Sequence, residues 1–179
     1  KKIYFKGGCD LTGILRHLNS NNILEVIEDT NYLSSNGLDM RSDHTTTILN
    51  AFKLSQLEIE KILQKIPFFD QKTFNKNIFL DNDILIFSVL MDYTLFVFKN
   101  KFNGIKIALG PFNFASTDPN YKKKILKYFI NNKSIINDDF LEYFSLNFEC
   151  IGKISPEEFE KNINEIKNNL NEKTQIIFL

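Results

Sequence analysis

The chain has 179 residues, 43% of them hydrophobic, and its 22 Lys+Arg balance 22 Asp+Glu to a formal net charge of zero. That length is a single domain, residues 1–179, able to bury a core without staples. The balanced charge gives no field to gather nucleic acid or an anionic membrane surface, and two distant cysteines, Cys9 and Cys150, exclude a disulfide framework and point to a reducing cytoplasm.

The predicted elements alternate. Residues 3–6 read as a strand, followed by the turn Gly7-Gly8-Cys9-Asp10 and a helix over 10–18 with Leu11, Ile14, Leu15 and Leu18 on one face. A short apolar run at 23–27 predicts strand two, and a polar stretch over 31–47 follows it. Leu57, Ile59, Ile62, Leu63 and Ile66 recur near helical spacing over 54–66, where Pro67 stops the helix. Strand three, 83–90, is a continuous apolar run, as in a parallel sheet covered on both faces. The longest apolar run, 84–98, is broken by Ser88, Asp92 and Thr94 and is too short for a membrane span. Residues 92–102 are ambiguous between helix and strand, and 105–109 read as a short strand ending at Gly110-Pro111. Ser116-Thr117-Asp118-Pro119 is a helix start, with Pro in the first turn, and the helix carries Tyr121, Ile125, Tyr128 and Phe129. A helix over 138–148 begins with two acidic residues. Ser155-Pro156-Glu157-Glu158 has the capping-box spacing ahead of Phe159, Ile163, Ile166 and Leu170. Residues 174–179 read as a buried last strand. The chain opens at Lys1 without a methionine, and the expectation is that residues following Leu179 belong to the fold or to the full protein. This β-α alternation predicts an α/β protein, a three-layer α/β/α sandwich with a mostly parallel sheet.

In an open α/β sheet the turn after the first strand lies at the carboxyl ends of the strands, beside a helix N-terminus that favours negative charge. Cys9 sits in that turn, where a helix end lowers a thiol pKa and raises the thiolate fraction. Gly7 and Gly8 permit close approach of a ligand. The alternative for Cys9 is a small core residue, which is also the reading of Cys150. Asp10 either orients a ligand or caps the first helix, and Thr12 either faces an anion or is solvated.

This order resembles the SGNH (GDSL-like) hydrolase superfamily, whose first strand leads into a Gly-x-Ser turn bearing the nucleophile. Cysteine stands at that place here, as in a subset from bacterial polysaccharide biosynthesis for which acyl transfer from coenzyme A has been proposed. The resemblance implies a flavodoxin-like sheet order. It also implies an acyl-ester hydrolase or acyltransferase acting on a carbohydrate, with acetyl-coenzyme A or another acyl donor and no tightly bound cofactor. The second block, which supplies an oxyanion donor, is best matched by Ser34-Ser35-Asn36-Gly37. The third block, Gly-x-Asn-Asp after a buried strand, is replaced by Ser88-Val89-Leu90-Met91-Asp92-Tyr93. The late Asp-x-x-His has no counterpart before Leu179.

The base expected under that resemblance is then His44 or a residue beyond Leu179. His44 lies in the polar stretch, with Asp43 or Asp92 to orient it; the other reading is an exposed loop histidine. Asp92 and Tyr93 follow strand three on the same rim as Cys9 and serve either the site or a helix cap. Ser34 and Ser35 either donate to an oxyanion or form a turn, with Gly8, Asp10, Asn36 and Tyr93 completing the predicted ligand contacts. His17 reads as a surface cation at a helix end. Lys122-Lys123-Lys124, beside Tyr121 and Tyr128, reads as a solvated face more readily than as a nucleic-acid contact. No metal-ligand spacing, dinucleotide fingerprint or P-loop is present. The second functional reading is a non-catalytic α/β module that binds a sugar or phosphate, or docks within a longer protein.

Overall fold

The computed structural model describes residues 2–7, 11, 13, 14, 17, 26–30, 34, 36–38 and 44–179, with residues 26–30 described by backbone alone. Cys9, Gly8, Asp10, Thr12 and Ser35 lie outside the described residues, as does most of the predicted first helix, of which residues 11, 13, 14 and 17 are helical.

Four strands form a parallel sheet in the order β2-β1-β3-β7: β1 is Ile3–Gly7, β2 Val26–Thr30, β3 Ile84–Phe87 and β7 Gln175–Phe178. Ile3 pairs with Val26 on one side and Ile84 on the other, and Ile84 pairs in turn with Gln175. Strand alternation sends Tyr4, Leu85 and Phe87 into the main core, while Ile3 and Phe5 pack with Leu11 on the opposite face. β7 is the outer strand, and most of its side chains are exposed rather than buried as the apolar run predicts.

The expectation of one mostly parallel sheet is corrected by a second, antiparallel sheet, β5-β4-β6, built from β4 Phe96–Asn100, β5 Lys106–Leu109 and β6 Phe148–Gly152. The reason is local. The ambiguous 92–102 segment splits into a short helix α4, Leu90–Thr94, and β4. The chain then reverses at Gly104, whose φ of +74° suits glycine, so that β4 and β5 pair as a hairpin with Phe96 opposite Leu109.

Helices fill the space between and around the sheets. They are α1 Thr45–Lys53, α2 Gln56–Lys65, α3 Asn77–Leu80, α5 Pro119–Tyr128, α6 Asp138–Asn147 and α7 Pro156–Asn169. Their starts follow capping chemistry. Ser55 and Glu58 form a reciprocal capping box on α2, and Asp118 accepts from the Asn120 N–H ahead of α5. Ser155 accepts from the Glu158 N–H at the start of α7, but the Glu158 carboxylate leaves the cap and pairs with Lys106. The main core runs without interruption from Tyr4 and Phe87 to Phe98, Phe114, Phe144 and Phe148. Phe144 stacks on Phe148 at 4.6 Å and meets Phe98 edge-on at 5.0 Å.

Candidate functional site

The order β2-β1-β3-β7 sends the chain from β1 to one side and later returns it to the other. The carboxyl ends of β1 and β3 are therefore the switch point at which open α/β sheets bind ligands. Gly7 closes that point tightly. A Cβ on it would lie 2.8 Å from Leu11 Cγ and 2.9 Å from Ser88 Cβ, so no side chain fits between the strand end, the helical segment and the end of β3. Cys9 follows two residues later, outside the described residues.

Five residues after β3, Asp92 is buried in the first turn of α4. Its carboxylate accepts from the Thr45 N–H at 3.1 Å to each oxygen, and Oδ1 accepts from the Thr45 hydroxyl. Asn162 Nδ2 on α7 donates to Thr45 Oγ1 at 3.0 Å. A chain of hydrogen bonds thus runs from α7 through the first residue of α1 to α4. The carboxylate also opposes the positive end of the α1 dipole.

His44 is the N-cap of α1 and is 0% exposed. Its Nδ1 accepts from the Thr46 N–H at 3.1 Å, which places the imidazole proton on Nε2. Burial lowers its pKa to about 3, so the ring is neutral at physiological pH. Asp92 Oδ1 lies 3.5 Å from Nδ1, a contact with an uncharged ring rather than an ion pair. Among the described residues, Nε2 has no hydrogen-bond partner, and neither has the buried Thr47 Oγ1.

The structure brings His44 and Asp92 together in a buried polar cluster, so His44 is not the exposed loop histidine of the other reading, and Asp43, the second orienting group offered by the sequence, lies outside the described residues. In this tautomer Nε2 is a donor. For it to accept a proton, Nδ1 must take the ring proton toward Asp92 and release the Thr46 N–H. The remaining predicted contacts stand apart from this cluster's hydrogen bonds. Asn36 is exposed, and its amide donates to the Pro67 carbonyl at 3.1 Å, while Ser34 Oγ donates to the same carbonyl at 3.0 Å. That bond leaves Asn36 a second amide hydrogen. Tyr93 is 75% exposed, with the Lys153 ammonium 5.0 Å from its ring centroid.

Lys6, absent from the sequence prediction, is 2% exposed on β1 with its ammonium 5.4 Å from the Phe79 ring centroid. The period-2 pattern of β1 is the only signal for it, since it shares the Tyr4 face that packs on Phe79. Asn162 is also unpredicted, since nothing local marks a polar residue on the buried stripe of α7. His17 is exposed, and Cys150 is half-buried on β6 against the main core. Among the described residues no group of His, Cys, Asp and Glu has the arrangement to hold a metal ion, and no helix is long and apolar enough to cross a membrane. No protein family, curated protein or solved structure matches this chain.

Proposed function

We propose that this chain transfers or hydrolyses an acyl group carried by a carbohydrate or a small-molecule acyl donor such as acetyl-coenzyme A, with Cys9 as the nucleophile. The observation that carries the reading is the sheet order, in which β1, the strand that Cys9 follows, ends at the switch point it shares with β3. The Cys9 thiolate adds to the acyl carbonyl, and the thiol or alcohol of the donor leaves with a proton. The thioester on Cys9 then passes its acyl group to a carbohydrate hydroxyl or to water. Backbone N–H groups after Gly8, with Ser35 and the second Asn36 amide hydrogen, hold the oxyanion, while Asp10 and Tyr93 contact the acceptor. His44 relays the proton through Nε2, with its Nδ1–H donating to the Asp92 carboxylate in the alternative tautomer. A thiol suits thioester exchange because donor and intermediate are close in energy, which favours the transferase over the hydrolase.

The test is a covalent adduct. Incubation with a short acyl thioester is expected to add one acyl group to the Cys9 peptide by mass spectrometry, and Cys9→Ala is expected to abolish it with the fold retained. An adduct absent from the wild type, or retained in Cys9→Ala, overturns the reading. The engagement of His44 Nδ1 and the Asp92 carboxylate in capping α1 favours a second reading, a module that binds its ligand at the same edge without turnover. That module would leave Cys9 unacylated.

A further inference from the structure

The 34–38 turn and α4 flank a second feature. A cleft of about 540 Å³ opens between them and the end of α5, with Leu38, Phe68, Met91, Leu95 and Phe129 among its lining residues. This volume falls in the range of small-molecule sites, about 300–1,000 Å³. Its mouth keeps apolar surface in water, since Leu90 is 36% exposed and Tyr128 63%. Lone exposed apolar side chains are ordinary; here two of them line one recess.

The polar atoms of the cleft narrow the ligand further. Thr94 Oγ1 is satisfied internally by the Leu90 carbonyl at 2.9 Å. The Tyr128 hydroxyl and the Asn132 side-chain amide make no hydrogen bond among the described residues, and they sit four residues apart at the rim. Among the described residues no charged side chain lines the cleft. Those residues offer a charged head no counter-charge, whereas a neutral donor-acceptor head finds both an amide and a hydroxyl.

We infer that this cleft is a binding site for an amphipathic small molecule, a single aliphatic chain with an uncharged polar head such as an alcohol, ester or amide. The chain lies over Met91, Leu95 and Phe129, and the head is held by Tyr128 and Asn132. Leu90 bounds the opening two residues after Ser88, the residue that packs on Gly7. The site does not require turnover at Cys9.

The experiment is titration calorimetry of the whole chain with straight-chain primary alcohols from butanol to decanol, and with carboxylates of matching length. Affinity is expected to rise about fourfold per added methylene until the cleft is full, and each alcohol is expected to bind more tightly than its carboxylate. Leu90→Trp, which blocks the mouth from an exposed position, is expected to weaken octanol binding by about tenfold or more, the worth of roughly two lost methylenes. Asn132→Ala is expected to weaken it about fivefold, the loss of one hydrogen bond. Cys9→Ala is expected to bind octanol as the wild type does, so failure of the acyl-transfer reading and failure of this one are separate results. Affinity that does not change with chain length, or a Leu90→Trp protein that melts and binds octanol as the wild type does, overturns the inference.

Discussion

The two sheets bury different chemistry. Around the antiparallel sheet the interior is aromatic: Phe98, Phe114, Phe129, Phe140, Phe144 and Phe148 are buried against one another, and Phe114 meets six other rings among the described residues. On the parallel sheet Tyr4, Phe5 and Phe87 are buried too, but polar groups are buried with them: Lys6 on β1, Ser88 after β3, and Asp92 with the His44 and Thr45 that it meets at the start of α1. Aromatic burial stabilises directly, through apolar area and edge-to-face contact. Buried polar groups stabilise only when each finds a partner, and a lone one costs about 1–3 kcal/mol. The first region is thus built for stability. The second leaves His44 Nε2 and Thr47 Oγ1 without a partner among the described residues, and rules of packing are most often broken at functional sites.

Mutations at the two regions separate them, with the largest effect in the aromatic half. Phe114→Ala is expected to lower the unfolding free energy by about 3–5 kcal/mol in urea denaturation. A loss under about 1 kcal/mol would mean that the aromatic cluster does not carry the stability assigned to it. On the polar side, Asp92→Ala strands the Thr45 N–H and hydroxyl, and about 2–3 kcal/mol is expected to be lost, read by the same denaturation.

His44 supplies a comparison in pH. Its folded pKa, about 3, lies below its ordinary value of 6.5. Between those values the unfolded chain binds a proton that the folded chain does not. Its contribution to stability is therefore complete above the unfolded value and is lost as pH falls toward the folded one. Between about pH 7.5 and about pH 4.5 this group alone is expected to cost roughly 2–3 kcal/mol. His44→Asn, which keeps a cap acceptor, is expected to flatten the pH–stability curve by that amount, and equal slopes in both proteins would show that His44 is not buried neutral. The smallest effect belongs to the surface. Lys53→Ala removes a pair with Glu165 on two half-exposed side chains and is expected to shift stability by no more than about 0.5 kcal/mol in the same assay.

Much of the parallel half is legible from sequence because its signals are local. The apolar runs at β1 and β3 find each other in register, and Ser55, Asp118 and Ser155 cap their helices. The elements that are not legible depend on distant partners. Thr45-Thr46-Thr47 looks like a polar loop, being β-branched and hydroxylated. It begins α1 because His44 caps it, Asp92 satisfies its first N–H, and Asn162 fixes Thr45 Oγ1 from α7. β6 escapes notice because helix periodicity carries through to Phe148, while the alternation of Phe148 inward and Glu149 outward emerges only against β4. At the candidate site, the placing of Asp92 beyond β3 follows from the apolar run before it. The turning inward of His44 does not, because a histidine cap lacks the Ser, Thr, Asp or Asn that marks a helix start.

The proposed chemistry requires a reactive thiol at Cys9, whereas Cys150 is a half-buried residue of β6. Iodoacetamide alkylation of the native protein at neutral pH, followed peptide by peptide, measures both thiols in one sample. Cys9 is expected to react about tenfold or more faster than Cys150, as a thiol activated at a helix N-terminus does. A Cys9 that reacts no faster than Cys150 would contradict the account.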